Sequence, residues 1–272
     1  MSEVTTGFTA TARSVVGLVR SGNEDSALLH SHLIAVADGM GGHAGGEVAS
    51  SIAVKTLSSL TELVIKSGEA VIDSDSIEDL LLNSLYDIDL EIKRVAKENI
   101  ELTGMGTTLT ALMLYPGTDQ SKAQKVALLH VGDSRCYRLR GNSLVQISHD
   151  HTVLQELLDQ GSISLEEAQE HPQSSFLTQA IVGDGALTPV LTVVEVKTKD
   201  RFLICSDGLS GVLSEKEIKQ GMKIADPEEA LTFLIEKTYS SGAPDNVTLV
   251  LANVEDQVKL LPLKFLGAAS DE

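Results

Sequence analysis

The chain has 272 residues, 42% of them hydrophobic, which suits one large domain or two small ones with a full core. Its formal net charge of −18 excludes nucleic acid and anionic membrane as direct partners unless a cation stands between them. Two cysteines, Cys136 and Cys205, lie far apart in apolar runs and in no C-x-x-C pattern, so buried thiols in a reducing, cytoplasmic compartment are expected rather than a disulfide framework.

Residues 12–19 and 27–37 read as two strands joined by a turn over Ser21 to Ser26. From Glu47 to Ser67 the apolar residues Ala49, Ile52, Ala53, Leu57, Leu60 and Val64 recur at helical spacing. Ser76-Ile77-Glu78-Asp79 resembles a capping box opening a second long helix, whose stripe runs Ile77, Leu80, Leu81, Leu85, Ile88, Ile92 and Val95, with Gly104 as its stop. Strands are expected near 107–115, 125–131, 135–140 and 143–147. Short helices are expected over 152–160 and 164–170, the latter capped by Ser164 with Glu167. Strands resume at 190–196 and 201–206, and helices follow near 214–221 and 226–239, where Asp226-Pro227 supplies an N-cap and a first-turn proline. A last strand covers 247–254, and the stretch from Leu260 to Glu272 reads as a fraying tail or the cut end of a longer protein. No stretch is long enough to span a bilayer, and the Met1-Ser2-Glu3-Val4 start lacks the basic and apolar regions of a secretory signal. The strands come as hairpins, not alternating βαβ units, so the expected class is α+β: antiparallel sheets covered by helices. A monomer is expected, since no long exposed apolar stripe stands out.

Acidic residues mark the ends of several apolar runs: Glu24 and Asp25, Asp38, Asp207 and Asp245. Converging carboxylates are costly to bury unpaired, and hard divalent cations are the natural remedy. Spacing alone does not establish that they converge. Other motifs lead away from other chemistries. Gly39-Met40-Gly41-Gly42-His43-Ala44 satisfies a loose dinucleotide pattern, but Asp38 would repel a pyrophosphate. The calcium-like start Asp73-Ser74-Asp75 fails at Glu78 and Ser84, where the loop needs Gly and Glu. Gly208-Leu209-Ser210-Gly211 lacks the final glycine of a nucleophile elbow, having Val212 there. Neither cysteine has the setting of a reactive thiolate.

Arg20 to Asp25, Asp38 to Gly42, Gly106-Thr107-Thr108, Val131 to Arg135, Asp150-His151, His171-Pro172, Ser206-Asp207-Gly208 and Asp245-Asn246 together resemble the metal-dependent type 2C Ser/Thr protein phosphatases in their bacterial form, over roughly 9–254. The resemblance implies two packed antiparallel β-sheets flanked by helices on both outer faces, a catalytic domain over 1–254 with a flap at about 152–190, and a tail at 255–272. It implies two Mn²⁺ or Mg²⁺ ions sharing a water, with Asp38 bridging them, Gly39 offering its carbonyl, and Asp207 and Asp245 on the other ion. Glu24 and Asp25 match the pair that holds metal-bound waters. Asp133 with Asp207 matches the holders of a third, weaker ion, and Arg20 matches the guanidinium that grips the substrate phosphate. The implied activity is hydrolysis of phosphoserine and phosphothreonine on proteins, opposing bacterial Ser/Thr kinases. A phosphoprotein-binding scaffold on the same fold and a phosphatase of small metabolites are the competing readings. Met40 stands where eukaryotic members often carry a general-acid histidine. His43 is a loop neighbour with no assigned role, and the small, polar flap stretch Gln173 to Phe176 suits substrate preference more than metal affinity.

Overall fold

The computed structural model describes residues 5–42, 44–66, 74–116, 124–164, 167 and 176–270. In chain order the strands are β1 (Thr5–Val15), β2 (Ser26–Leu29), β3 (Leu33–Ala37), β4 (Gly39–Met40), β5 (Gly106–Thr107), β6 (Leu109–Pro116), β7 (Gln124–Val131), β8 (Arg135–Arg140), β9 (Ser143–Gln146), β10 (Val190–Glu195), β11 (Arg201–Cys205), β12 (Val247–Val258) and β13 (Lys264–Gly267). The helices are α1 (Gly45–Lys66), α2 (Ser74–Glu98), α3 (Val153–Asp159), α4 (Asp207–Ser210), α5 (Glu215–Met222) and α6 (Pro227–Ser240). One sheet has the order β1-β12-β11-β8-β9 and the other β10-β7-β6-β3-β2-β13, with β4 and β5 as a separate short pair. Every named pairing is antiparallel.

The two sheets pack face to face, and each carries helices on its outer face. Phe8, Ile34, Val36, Leu112, Leu128, Phe202 and Val250 fill the space between the sheets, where the rings of Phe8 and Phe202 meet edge to face with centroids 6.3 Å apart. Leu33, Ala35, Leu109 and Leu129 face outward against Leu57, Leu81, Leu85 and Ile88 of α1 and α2. Tyr137, Leu203 and Leu249 face Leu209, Ile218, Met222, Leu231 and Leu234 of α4, α5 and α6. The central strands are thus covered on both faces, which is why Leu33-Ile34-Ala35-Val36-Ala37 reads as an unbroken apolar run and not as an alternation. Each fully buried leucine in these layers contributes about 2 kcal/mol.

Five expectations need correction. Residues 12–19 and 27–37 are not one hairpin: β1 pairs with β12, whereas β2 and β3 lie in the other sheet. The chain has to cross between sheets, so it leaves β1 at Val15, turns at Gly17 with φ +82, and exposes Leu18 and Val19. The single strand expected over 27–37 is itself a hairpin broken at His30 to His32. Ser76 lies inside α2, which starts at Ser74, so the capping-box pattern does not mark its end. Asp207 does not merely end a strand but begins the short helix α4. The region after 254 is not a loose tail: β12 continues to Val258, β13 pairs with β2 through Phe265↔Leu28, and Ala269 is buried. Most of the helix expected over 164–170 falls outside the described residues. The reciprocal bonds of its cap are present, with the Ser164 amide donating to Glu167 Oε2 at 2.8 Å and the Glu167 amide to Ser164 Oγ at 3.3 Å.

At the far end of β8, Arg140 forms a two-pronged pair with the buried Asp200, Nε to Oδ1 at 2.7 Å and Nη2 to Oδ2 at 2.6 Å. Removing one partner of a buried ion pair leaves an uncompensated charge at a cost of about 3–5 kcal/mol. Because Arg140 is only half-buried, water can reach part of that site, and Arg140→Ala is expected to lower the unfolding free energy by about 2 kcal/mol, read from urea titration.

Candidate metal centre

Strand ends from both sheets bring the acidic residues to one edge of the sandwich. β11 runs into Ser206, whose hydroxyl accepts from the Thr248 amide at 3.0 Å and donates to Asp25 Oδ2 at 2.8 Å. That contact joins three segments of the chain: 24–25, 206–207 and 245–248. Asn246 fastens the loop before β2, its Nδ2 donating to the carbonyls of Val16 and Gly22 at 2.9 and 2.8 Å and its Oδ1 accepting from the Glu24 amide at 2.9 Å.

Asp38 follows β3 and is held by its main chain. Its amide donates to Thr108 Oγ1 at 3.0 Å, and its carbonyl accepts from the Thr108 amide at 2.8 Å and from Thr107 Oγ1 at 2.9 Å. The Gly106-Thr107-Thr108 segment therefore clamps the Asp38 backbone, while its carboxylate meets that of Asp207. Gly39 lies in a tight place: a Cβ there would stand 2.1 Å from the Gly46 carbonyl oxygen and 2.5 Å from that of Glu24. Gly208 is confined in the same way by the Asn246 carbonyl oxygen, 1.9 Å from an added Cβ.

The carboxylates lie within electrostatic reach of one another. Burial raises the Asp38 pKa well above the ordinary carboxylate range, and Asp25, Asp207, Asp133 and Asp245 raise it further. Burial pushes Asp25 up to about 7 against the hydrogen bonds from Ser206 and Thr248, with Asp207 and Asp245 adding to the rise. Asp133 also rises to about 7, through burial and then Asp207 and Asp150. Asp207 is raised by burial and by Asp245. Glu24 is raised chiefly by burial, although Arg20 opposes the shift. Arg20 stands exposed at the rim, with Nη2 2.7 Å from Asp245 Oδ2.

All donors here are oxygens, and the negative charge is in excess, which fits a hard divalent cation. Among the described residues no three His, Cys, Asp or Glu side chains form a ready-made ligand set. Mg²⁺ and similar ions keep several waters and need only one or two carboxylates each, so the donor set still fits. Asp245 must release Arg20 to serve as a ligand. All eight residues singled out in the sequence thus lie along this edge. His43 falls outside the described residues. Ser206, Asn246 and Thr108, which hold the acids in place, were missed as supports. The only signal for them was their position beside an acid or inside an already noted motif.

Behind the acids a buried polar layer continues from Ser134, whose Oγ is 2.8 Å from Thr108 Oγ1, through Thr110 to His130. His130 Nε2 donates to the His149 carbonyl at 3.0 Å, and burial together with His151 lowers its pKa to about 3. The folded state holds this ring neutral, whereas the unfolded chain protonates it below about 6.5. Its contribution is complete above pH 6.5 and is lost as the pH falls toward 3, by about 2 kcal/mol at pH 5. Replacing the ring by His130→Gln is expected to flatten the loss of urea stability between pH 7 and 5 by that amount.

The molecule is a two-sheet antiparallel sandwich with helices outside and an all-oxygen carboxylate cluster at one strand edge, a donor set of the kind that suits hard divalent cations. The protein phosphatase 2C model matches residues 23–251, and the chain belongs to that family. It is 41% identical over 262 residues to the serine/threonine protein phosphatase PstP of Mycobacterium tuberculosis, covering 94% of this chain and 47% of that protein, so it spans about half the length of that relative. It is 36% identical over 241 residues to the serine/threonine phosphatase stp of Listeria welshimeri, covering 86% of this chain and 91% of the relative. The crystal structure of the PstP catalytic domain in complex with two manganese ions superposes with a TM-score of 0.79 at 38% identity, over 93% of this chain and all of that one. Among the described residues no helix is long and apolar enough to cross a membrane.

Proposed function

We propose that this chain hydrolyses phosphoserine and phosphothreonine on proteins with two Mn²⁺ or Mg²⁺ ions, acting in the cytoplasm as a monomer that opposes a Ser/Thr kinase. The observation that carries this reading is the convergence of Asp25, Asp38, Asp133, Asp207 and Asp245, with the carboxyl pKa values of Asp25, Asp38, Asp133 and Asp207 raised by burial and by neighbouring acids. Asp38, the Gly39 carbonyl, Asp207 and Asp245 would hold the two ions, Glu24 and Asp25 would orient waters from behind, and Asp133 with Asp207 would hold a third. When bound, the ions supply an activated water and neutralise charge on the phosphoryl oxygens.

The residues of the chain do the remaining work. Ser206 fixes Asp25, and Thr107 and Thr108 fix the Asp38 backbone, so the acids need little reorganisation. Arg20 leaves Asp245 and takes the substrate phosphate, where its planar fork matches two oxygens. No side chain is required as a nucleophile. Arg20→Lys is expected to raise KM for a phosphothreonine peptide about tenfold with a smaller change in kcat, because a point charge replaces a two-pronged grip. The reading as a whole is tested by phosphothreonine-peptide hydrolysis with Mn²⁺ and with chelator. Turnover that appears only with the metal supports it, and turnover that survives chelation sinks it. A bound metal with no peptide turnover would favour a scaffold, and preference for sugar phosphates a metabolite enzyme.

A further inference from the structure

An acid outside the metal centre stands buried on α2. Asp89 is 3% exposed and follows Ile88 in the apolar stripe of that helix. Among the described residues its carboxylate has no ion-pair partner. Instead it accepts two backbone N–H bonds from the segment that returns from the flap: Gly183 N to Oδ1 at 2.8 Å and Gly185 N to Oδ2 at 3.0 Å. Both glycines have φ of +78, so the backbone curls its amides around the carboxylate as an anion nest. A Cβ at Gly183 would come within 2.7 Å of the Lys93 amide nitrogen, which shows how closely this segment lies on α2.

A buried carboxylate is costly unless its oxygens are satisfied, so this one is retained for what it holds. What it holds leads to the metal centre. Two residues before Gly183, the buried Ile181 exchanges two bonds with Thr107, amide to carbonyl in both directions at 2.9 and 3.0 Å. Thr107 Oγ1 in turn donates to the Asp38 carbonyl at 2.9 Å. A cover over this joint comes from Val182, whose Cγ1 would be 2.7 Å from a Cβ at Gly106.

We propose that Asp89 is a positioning residue. It fixes the returning limb of the flap, Ile181 to Gly185, and so sets the surface that a protein substrate meets beside Asp38. This rests on the phosphatase reading above. Asp89→Ala removes both acceptors, whereas Asp89→Asn keeps one oxygen and can keep one of the two bonds.

The test has two readouts: backbone hydrogen exchange over 181–187 in the metal-free protein, and kinetics with Mn²⁺ on a phosphothreonine peptide and on p-nitrophenyl phosphate. In Asp89→Ala the exchange is expected to speed up about tenfold or more, since loss of the nest opens the segment locally. KM for the peptide should rise about tenfold, because a small misplacement of a positioning group costs one to two decades. The small ester carries no peptide to rest on the limb, so it should keep its kcat and KM within about twofold. Asp89→Asn should recover most of the protection and most of the peptide KM. Unchanged exchange in Asp89→Ala overturns the proposal, as does an equal loss on both substrates with Asn no better than Ala. If the wild type hydrolyses neither substrate, the phosphatase reading fails, and the exchange readout alone decides whether Asp89 anchors the limb.

Discussion

Asp38→Asn is expected to lower kcat/KM toward a phosphothreonine peptide by about 10³-fold, or about 4 kcal/mol of transition-state stabilisation, while the metal-free protein becomes no less stable. Both halves follow from one feature. In the folded chain Asp38 is half-buried beside Asp25, Asp207, Asp133 and Asp245, and its carboxyl pKa is raised. A raised carboxyl pKa means that, above the unfolded value, the folded state bears the charge at a cost. The neutral amide removes that cost and also removes the carboxylate proposed to hold both cations. Thermal unfolding in chelator should therefore show an equal or higher midpoint for the variant, beside a peptide assay showing lost turnover. A variant that turned over normally, or that unfolded earlier without metal, would contradict the assignment.

Gly39→Ala is the second large effect, and it acts through the backbone. The added Cβ would lie 2.1 Å from the Gly46 carbonyl oxygen and 2.5 Å from that of Glu24, both main-chain atoms that cannot rotate aside. Either α1 or the Glu24 loop has to move. Overpacking of this kind costs about 3 kcal/mol. The urea midpoint should fall accordingly, and peptide turnover should fall even in the fraction that remains folded, because Glu24 and the Gly39 carbonyl shift together. Alanine at Gly42, where a Cβ would meet nothing within 4 Å, is the control and should leave stability within about 0.5 kcal/mol of wild type.

The layered fold was legible because the hairpin strands and the two helical stripes are strongly periodic. Ala49, Ala53, Leu57 and Leu60 are buried on α1 as the spacing required, and so are Leu81, Leu85, Ile88 and Ile92 on α2. What periodicity could not show is which sheet a strand joins. Residues 5–15 and 26–29 are neighbours in sequence yet pair with β12 and β3, and only long-range contacts decide that. The acids were legible as a set because each ends an apolar run beside a turn-former. Their supports were not. Ser206, Thr108 and Asn246 are ordinary residues whose roles exist only once three distant segments meet. Asp89 was invisible for a related reason: it lies on α2 between the stripe residues Ile88 and Ile92, and its partners are backbone amides almost a hundred residues away.

Strand β13 is tied mechanically to the acidic edge. Gly267 sits so close to the Asp25 carbonyl that a Cβ would stand 2.1 Å from its oxygen, and the Ala268 amide donates to that same carbonyl at 2.8 Å. Asp25 is in turn latched to Ser206. A displacement of β13 would therefore pass through Gly267 and Ala268 to the Asp25 backbone and on to Ser206, so that strand is a mechanical handle on the acidic edge.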